Sequence, residues 1–157
     1  MNSKQDEQLW GVIRNALVIT AVMAAITLGL SGCHSSSVPS ALAINADAAV
    51  ARGLEAIEGS DWETAETELT SAIDAGVLSG DQYEETVLAR AKARLENDDL
   101  EGAEEDISML EEGAAAMDQV LALKASLLLR QGDKSLAKRT LAEARKINRN
   151  VIAPKGL

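Results

Sequence analysis

The chain has 157 residues, 25 of them acidic and 15 basic, for a formal net charge of −10. So acidic a body lacks the basic footprint that a phosphate backbone requires, which excludes nucleic acid as a natural partner. A single cysteine forms no internal disulfide, and with no Phe and only Trp10, Trp62 and Tyr83 as aromatics, the fold must stand on packing of Ala, Leu, Ile and Val.

The first 15 residues are polar and carry Lys4, Asp6, Glu7 and Arg14, and Ala16 to Leu30 follows as 15 residues without a charge. A membrane span needs about 20 apolar residues, so this length fits the hydrophobic region of an export signal better. Leu30-Ser31-Gly32-Cys33 comes next: an aliphatic residue, two small ones, then a thiol. In order and placement, residues 1–33 resemble a bacterial lipoprotein signal ending in a lipobox. The resemblance implies cleavage before Cys33 by the lipoprotein signal peptidase, a diacylglyceryl group on the Cys33 thiol and a further acyl chain on its freed amine. Two or more chains anchor a protein stably, where one is marginal. His34 stands where an aspartate retains some Gram-negative lipoproteins at the inner membrane. The same resemblance therefore implies, in such an organism, an outer-membrane protein facing the periplasm. The competing reading keeps residues 10–30 as an uncleaved anchor with Cys33 incidental, and Asp6 and Glu7 in a long leading segment favour it.

After a signal peptide of residues 1–32, residues 33–44 read as a flexible lipid-anchored tether, rich in serine and holding Pro39. Residues 45–150 read as a helical domain and 151–157 as a tail. Apolar residues recur at helical spacing and predict helices near 46–58, 62–74, 82–96, 100–112, 115–130 and 134–147. Ala and Leu, the strongest helix formers, dominate this stretch, and Pro39 and Pro154 lie outside it. Ser60 with Glu63 and Asp81 with Glu84 have capping-box spacing, and Asp133 is an N-cap residue. Gly59, Gly76, Gly113 and Gly132 stand where helices should stop.

Three segments repeat one pattern: Trp62, Ala65, Leu69, Ala72; then Leu100, Ala103, Ile107, Leu110; then Lys134, Ala137, Leu141, Ala144. Steps of 3, 4 and 3 put each set on one helix face, and the segments start 38 and 34 residues apart, a period of stacked helical hairpins. Residues 46–147 resemble the tetratricopeptide repeat. Gly53, Ala91 and Ala125 match that family's small residue in the first helix. Trp62 matches its aromatic, Ala65, Ala103 and Ala137 its diagnostic alanine, Ala72 and Ala144 its last alanine, and Pro154 its late proline. The departures are Lys134 at an aromatic position, Leu110 at an alanine, and Arg52, Arg90 and Lys124 where Leu is usual. The resemblance implies an all-α fold of three stacked antiparallel helical hairpins with Trp62 in the core. It also implies a concave groove lined by the first helix of each pair. That groove would take Asp47, Val50, Leu54 and Glu58 from the first pair, Glu85, Leu88, Lys92 and Leu95 from the second, and Gln119, Ala122, Ser126 and Arg130 from the third. Its apolar floor, acidic at one end and weakly basic at the other, suits an amphipathic segment of a partner.

Charge is unevenly spread: residues 33–118 hold 21 acidic and 4 basic side chains, and residues 119–157 hold 2 and 9. These charges either balance within the molecule on solvated faces or let the basic end meet an acidic protein or anionic head groups. The last helix is followed by too short a segment for a solvating helix, so it caps itself or is covered by a partner or a second copy. No enzyme constellation is visible, because His34 and Cys33 sit together at the anchor and a triad needs a base beside its nucleophile. Asn97 to Gly102 has calcium-loop acids, but Ser108 stands where an EF-hand needs glutamate. No cofactor or metal is expected. The expected function is that of a membrane-anchored adaptor that docks an envelope protein or peptide segment during assembly of a secretion, pilus or outer-membrane complex. The alternatives are a self-associating structural lipoprotein, with the last helix as a homotypic contact, and a regulatory subunit of a cell-wall enzyme.

Overall fold

The computed structural model describes residues 41–157; the signal segment, Cys33 and most of the tether lie outside them. Six helices run α1 (Ala41–Glu58), α2 (Trp62–Asp74), α3 (Gly80–Glu96), α4 (Leu100–Glu111), α5 (Met117–Arg130) and α6 (Lys134–Ile147). The described residues contain no strand, so they are all-α. α1 is already helical at Ala41, the first described residue, rather than from near residue 46. Ala41-Leu42-Ala43-Ile44, read as the end of the tether, is instead good helix-forming sequence that extends the first helix.

Packing follows the chain. α1 lies on α2, α3 on α4 and α5 on α6; α2 meets α3, α4 meets α5, and α3 also touches α1 and α5. α1 and α2 share no contact with α5 and α6, so α3 and α4 separate the two ends. A buried hydrophobic cluster accordingly sits in the middle, where Val87, Leu88 and Leu95 of α3 pack with Ile107 and Leu110 of α4 and Val120 and Leu127 of α5. Small residues set how closely helices approach. A Cβ on Gly53 would lie 2.6 Å from Leu69 Cγ, and Leu69 is fully buried. Ala91 and Ala125 hold the corresponding places in α3 and α5, and Ala65, Ala103 and Ala137 in the second helices; all are fully buried. Trp62, expected in the core, is half-buried at the first residue of α2.

Three turns share one geometry. Ser60, Asp98 and Gly132 adopt left-handed φ values of 59°, 65° and 91°. In each case the next residue, Asp61, Asp99 or Asp133, sends its N–H five residues back, to the carbonyls of Ala56, Arg94 and Leu128, all at 2.9 Å. This is the closing bond of a Schellman turn. The same aspartates then cap the following helix, accepting from the N–H of Thr64, Gly102 and Leu136. The Ser60–Glu63 box therefore does not form; Ser60 supplies the turn and Asp61 the cap. α3 also starts earlier than expected. Ser79 Oγ accepts from the Gln82 N–H while Gln82 Oε1 accepts from the Ser79 N–H, so this pair, and not Asp81 with Glu84, makes the capping box.

Residues 148–157 fold back as an irregular strap. Arg145 Nε donates to the Val151 carbonyl (3.1 Å), Lys134 Nζ to the Gly156 carbonyl (2.8 Å), and Asn148 Nδ2 to Asp118 Oδ2 (2.8 Å). The last helix is thus covered in part by its own tail. No helix of the described residues is long and apolar enough to cross a membrane.

Candidate peptide-binding groove

A groove of about 980 Å³ opens between α3, α5 and the tail. Glu85, Leu88 and Lys92 line it from α3, and Gln119, Ala122 and Ser126 from α5. Each trio steps by three and then four residues, which stacks its side chains on one helix face. The opposite wall is made by the tail, with Val151, Ile152 and Pro154. Ile152 is 86% exposed, an aliphatic side chain held in solvent beside the groove.

The acidic end is built by the starts of α3 and α5: Asp81, Glu84, Glu85 and Asp118, against Lys92 as the basic lining residue. Two of these carboxylates are already engaged. Glu84 accepts from the N–H groups of Ala116 (2.7 Å) and Ala115 (2.9 Å). It does so because α5 starts after Ala116, which offers no side-chain acceptor for its own helix; a carboxylate from α3 satisfies the free donors instead. The Ala116 and Ala115 N–H groups in turn hold the Glu84 carboxyl below the usual glutamate range. Asp118 accepts from Asn148. Asp81 and Glu85 have no hydrogen-bonding or ion-pair partner among the described residues and are free to meet a cation.

The remaining residues expected in the groove lie elsewhere. On α1, Asp47 Oδ1 accepts from Gln82 Nε2 of α3 (3.0 Å), Val50 is half-buried, Leu54 is 46% exposed and Glu58 is exposed, all outside the groove. Leu95 is 2% exposed and belongs to the core. Arg130 reaches back to α3, its Nη2 2.8 Å from Glu96 Oε2. The surface expected across three first helices is therefore confined to two of them plus the tail. The tail wall was not legible, because residues 151–157 have no periodicity from which a packing face follows.

A second polar cluster lies inside the molecule. Arg90 meets Asp106 bidentately, Nε to Oδ2 at 3.0 Å and Nη2 to Oδ1 at 2.6 Å, with side chains 9% and 1% exposed. Arg94 Nη1 lies 3.1 Å from the same Asp106 Oδ2, and its Nε 3.0 Å from Glu66 Oε1 of α2. Burial lowers the Arg94 pKa, but the charges of Asp106, Glu66 and Asp99 outweigh it, and the net displacement is upward. Thr70 Oγ1 and the Gly102 carbonyl take further guanidinium protons. No buried side-chain polar atom among the described residues lacks a partner. Every charge here is matched, which is the condition for burying it. The cluster ties α2, α3 and α4 together. Its signal was present in the sequence: Arg52 pairs with Glu68, and Arg90 with Asp106, each 16 residues on. In the third pair Thr140 stands at that distance, and Lys124 reaches Glu111 of α4 instead (2.6 Å).

Among the described residues no three His, Cys, Asp or Glu side chains are grouped so as to hold a metal ion. Comparison of the chain with protein-family models, with curated proteins and with solved structures finds no match.

Proposed function

We propose that this chain is a lipid-anchored adaptor of the bacterial cell envelope, whose tetratricopeptide-like array of helical hairpins docks a segment of a partner protein in the groove between α3, α5 and the tail. The observation that carries the reading is the convergence of Glu85, Leu88 and Lys92 with Gln119, Ala122 and Ser126 on one open concavity, with an apolar floor and free carboxylates at one end. Such a lining suits an amphipathic segment that places aliphatic side chains on Leu88 and Ala122 and a Lys or Arg beside Asp81 and Glu85. The anchor rests on the lipobox-like Leu30-Ser31-Gly32-Cys33.

Two measurements test the two halves of this reading. Intact-mass spectrometry of membrane-purified protein should show loss of residues 1–32 and added acyl mass, both absent in Cys33→Ala; an unmodified full-length mass removes the anchor. Capture from detergent-solubilised envelopes should retain a partner that Ala122→Arg, which fills the groove and opposes a basic ligand, releases. Equal capture by both forms removes the groove.

A further inference from the structure

Apart from Lys92 in the groove, the basic side chains of the described residues fall into two sets. Arg52, Arg90, Arg94, Lys124 and Arg130 each lie within ion-pair distance of a carboxylate. From Lys134 onward no basic side chain does so among the described residues. Lys134 and Arg145 donate to tail carbonyls and Arg139 to Ser135, while Lys138 and Lys146 have no polar partner. At the helical repeat, the five cations of α6 spread over roughly 140° of its surface, and the buried Ala137, Thr140, Leu141 and Ala144 take the remaining part, with Leu141 bordering the cations. α6 thus presents an outer face of five cations, with Glu143 as the one acid of the helix, exposed at the edge of that arc.

The other end of the helical series, α1 and α2, is its electrostatic complement. Residues 41–75 hold eight acidic side chains and one basic, Arg52, which Glu68 neutralises. Glu55, Glu58 and Glu63 are exposed and unpartnered among the described residues, and Ile44, 53% exposed, lies on the same arc of α1 as Glu55 and Glu58. The two ends cannot neutralise each other within one molecule, because α1 and α2 make no contact with α5 or α6. Two α6 faces set against each other would oppose like charges.

We propose that a second copy of this chain docks head to tail, the cationic face of α6 of one copy on the acidic face of α1 and α2 of the next. Complementary charge of this kind steers and registers an encounter. The contact is heterologous, so it leaves a free acidic face and a free basic face at the ends and propagates into chains of copies rather than closing as a dimer. None of these side chains lines the groove, so partner capture there and self-association are separable.

The test uses the full chain in a nonionic detergent, followed by sedimentation velocity. Wild type should form larger species at about 20 mM salt and lose them at about 500 mM, where screening acts within a few ångströms. Lys138→Glu/Arg139→Glu/Lys146→Glu should be single at both salts, and so should Glu55→Lys/Glu58→Lys/Glu63→Lys. Mixed together, the two variants should associate again, since each retains the face the other has lost. Circular dichroism matching wild type shows that both still fold. Association that survives in either variant alone, or a mixture that stays single, overturns the proposal. A wild type that is single at low salt overturns it too. If that single form prefers phosphatidylglycerol vesicles over phosphatidylcholine ones, and the lysine and arginine reversals abolish the preference, a bilayer is the occupant of α6 instead.

Discussion

Gly53 and Asp106 show how single residues fix this packing. Alanine at Gly53 would bring a methyl group to 2.6 Å from Leu69 Cγ and 2.7 Å from its Cδ2, and buried Leu69 has nowhere to yield. Gly53→Ala should therefore destabilise by about 1–3 kcal/mol, the cost of overpacking, measured as a lower midpoint in urea unfolding. Asp106→Ala should cost more, about 3–5 kcal/mol, since it strands the buried Arg90 guanidinium and removes a partner of Arg94; Asp106→Asn, which keeps a hydrogen-bond acceptor, should fall between. These two residues also differ in legibility. Gly53 reads in the sequence as the small residue of a first helix, so a close-packing role for it follows from the sequence. Asp106 reads as one more acid in an acidic helix, and the arginine that explains it was visible only as a misfit among expected leucines.

At the scale of the element, the helices were read well and their ends less well. Periodicity places all six, because a buried face of Ala and Leu imposes its spacing on the chain. The ends depend on which of several adjacent polar residues captures the free N–H groups, and composition does not decide between Ser60 and Asp61 or between Ser79 and Asp81. Geometry does. Ser60 must adopt φ 59° to close its turn, a conformation costing roughly 1–2 kcal/mol for a residue with a Cβ. Ser60→Gly should accordingly raise the thermal midpoint, whereas Gly132→Ala at the equivalent place should lower it. The start of α5 depends on a residue 32 positions away in sequence. Glu84→Gln should speed amide exchange at Ala115 and Ala116. The sign of the pH effect follows from the lowered Glu84 carboxyl. Its contribution is complete above the ordinary glutamate range and is lost as pH falls through its depressed value. Exchange at those two amides should quicken there in wild type, and in the glutamine variant should lack that step.

At the scale of the molecule, the six described helices form a series in which each touches near neighbours, so damage should remain local. In Gly53→Ala, native-state hydrogen exchange should accelerate in α1 and α2 while α5 and α6 keep wild-type protection, because no contact joins the two ends. Uniform acceleration would mean that the array unfolds as one unit. The separation of charge was readable in the sequence as a count. Its organisation was not, because which cations are spent internally depends on packing: Arg90 and Arg130 find carboxylates on neighbouring elements, and the α6 lysines form no ion pair among the described residues.

The strap of residues 148–157 is held to α6 through the main-chain carbonyls of Val151 and Gly156. A carbonyl is common to every residue type, so Arg145 grips position 151 without regard to what side chain it bears. The identities of Val151 and Ile152 are therefore released from the duty of holding the strap. They can be exchanged for aromatic, polar or charged residues while the wall stays in place. One side of the groove is in this sense an interchangeable part, and its chemistry can drift without the helical array having to be rebuilt.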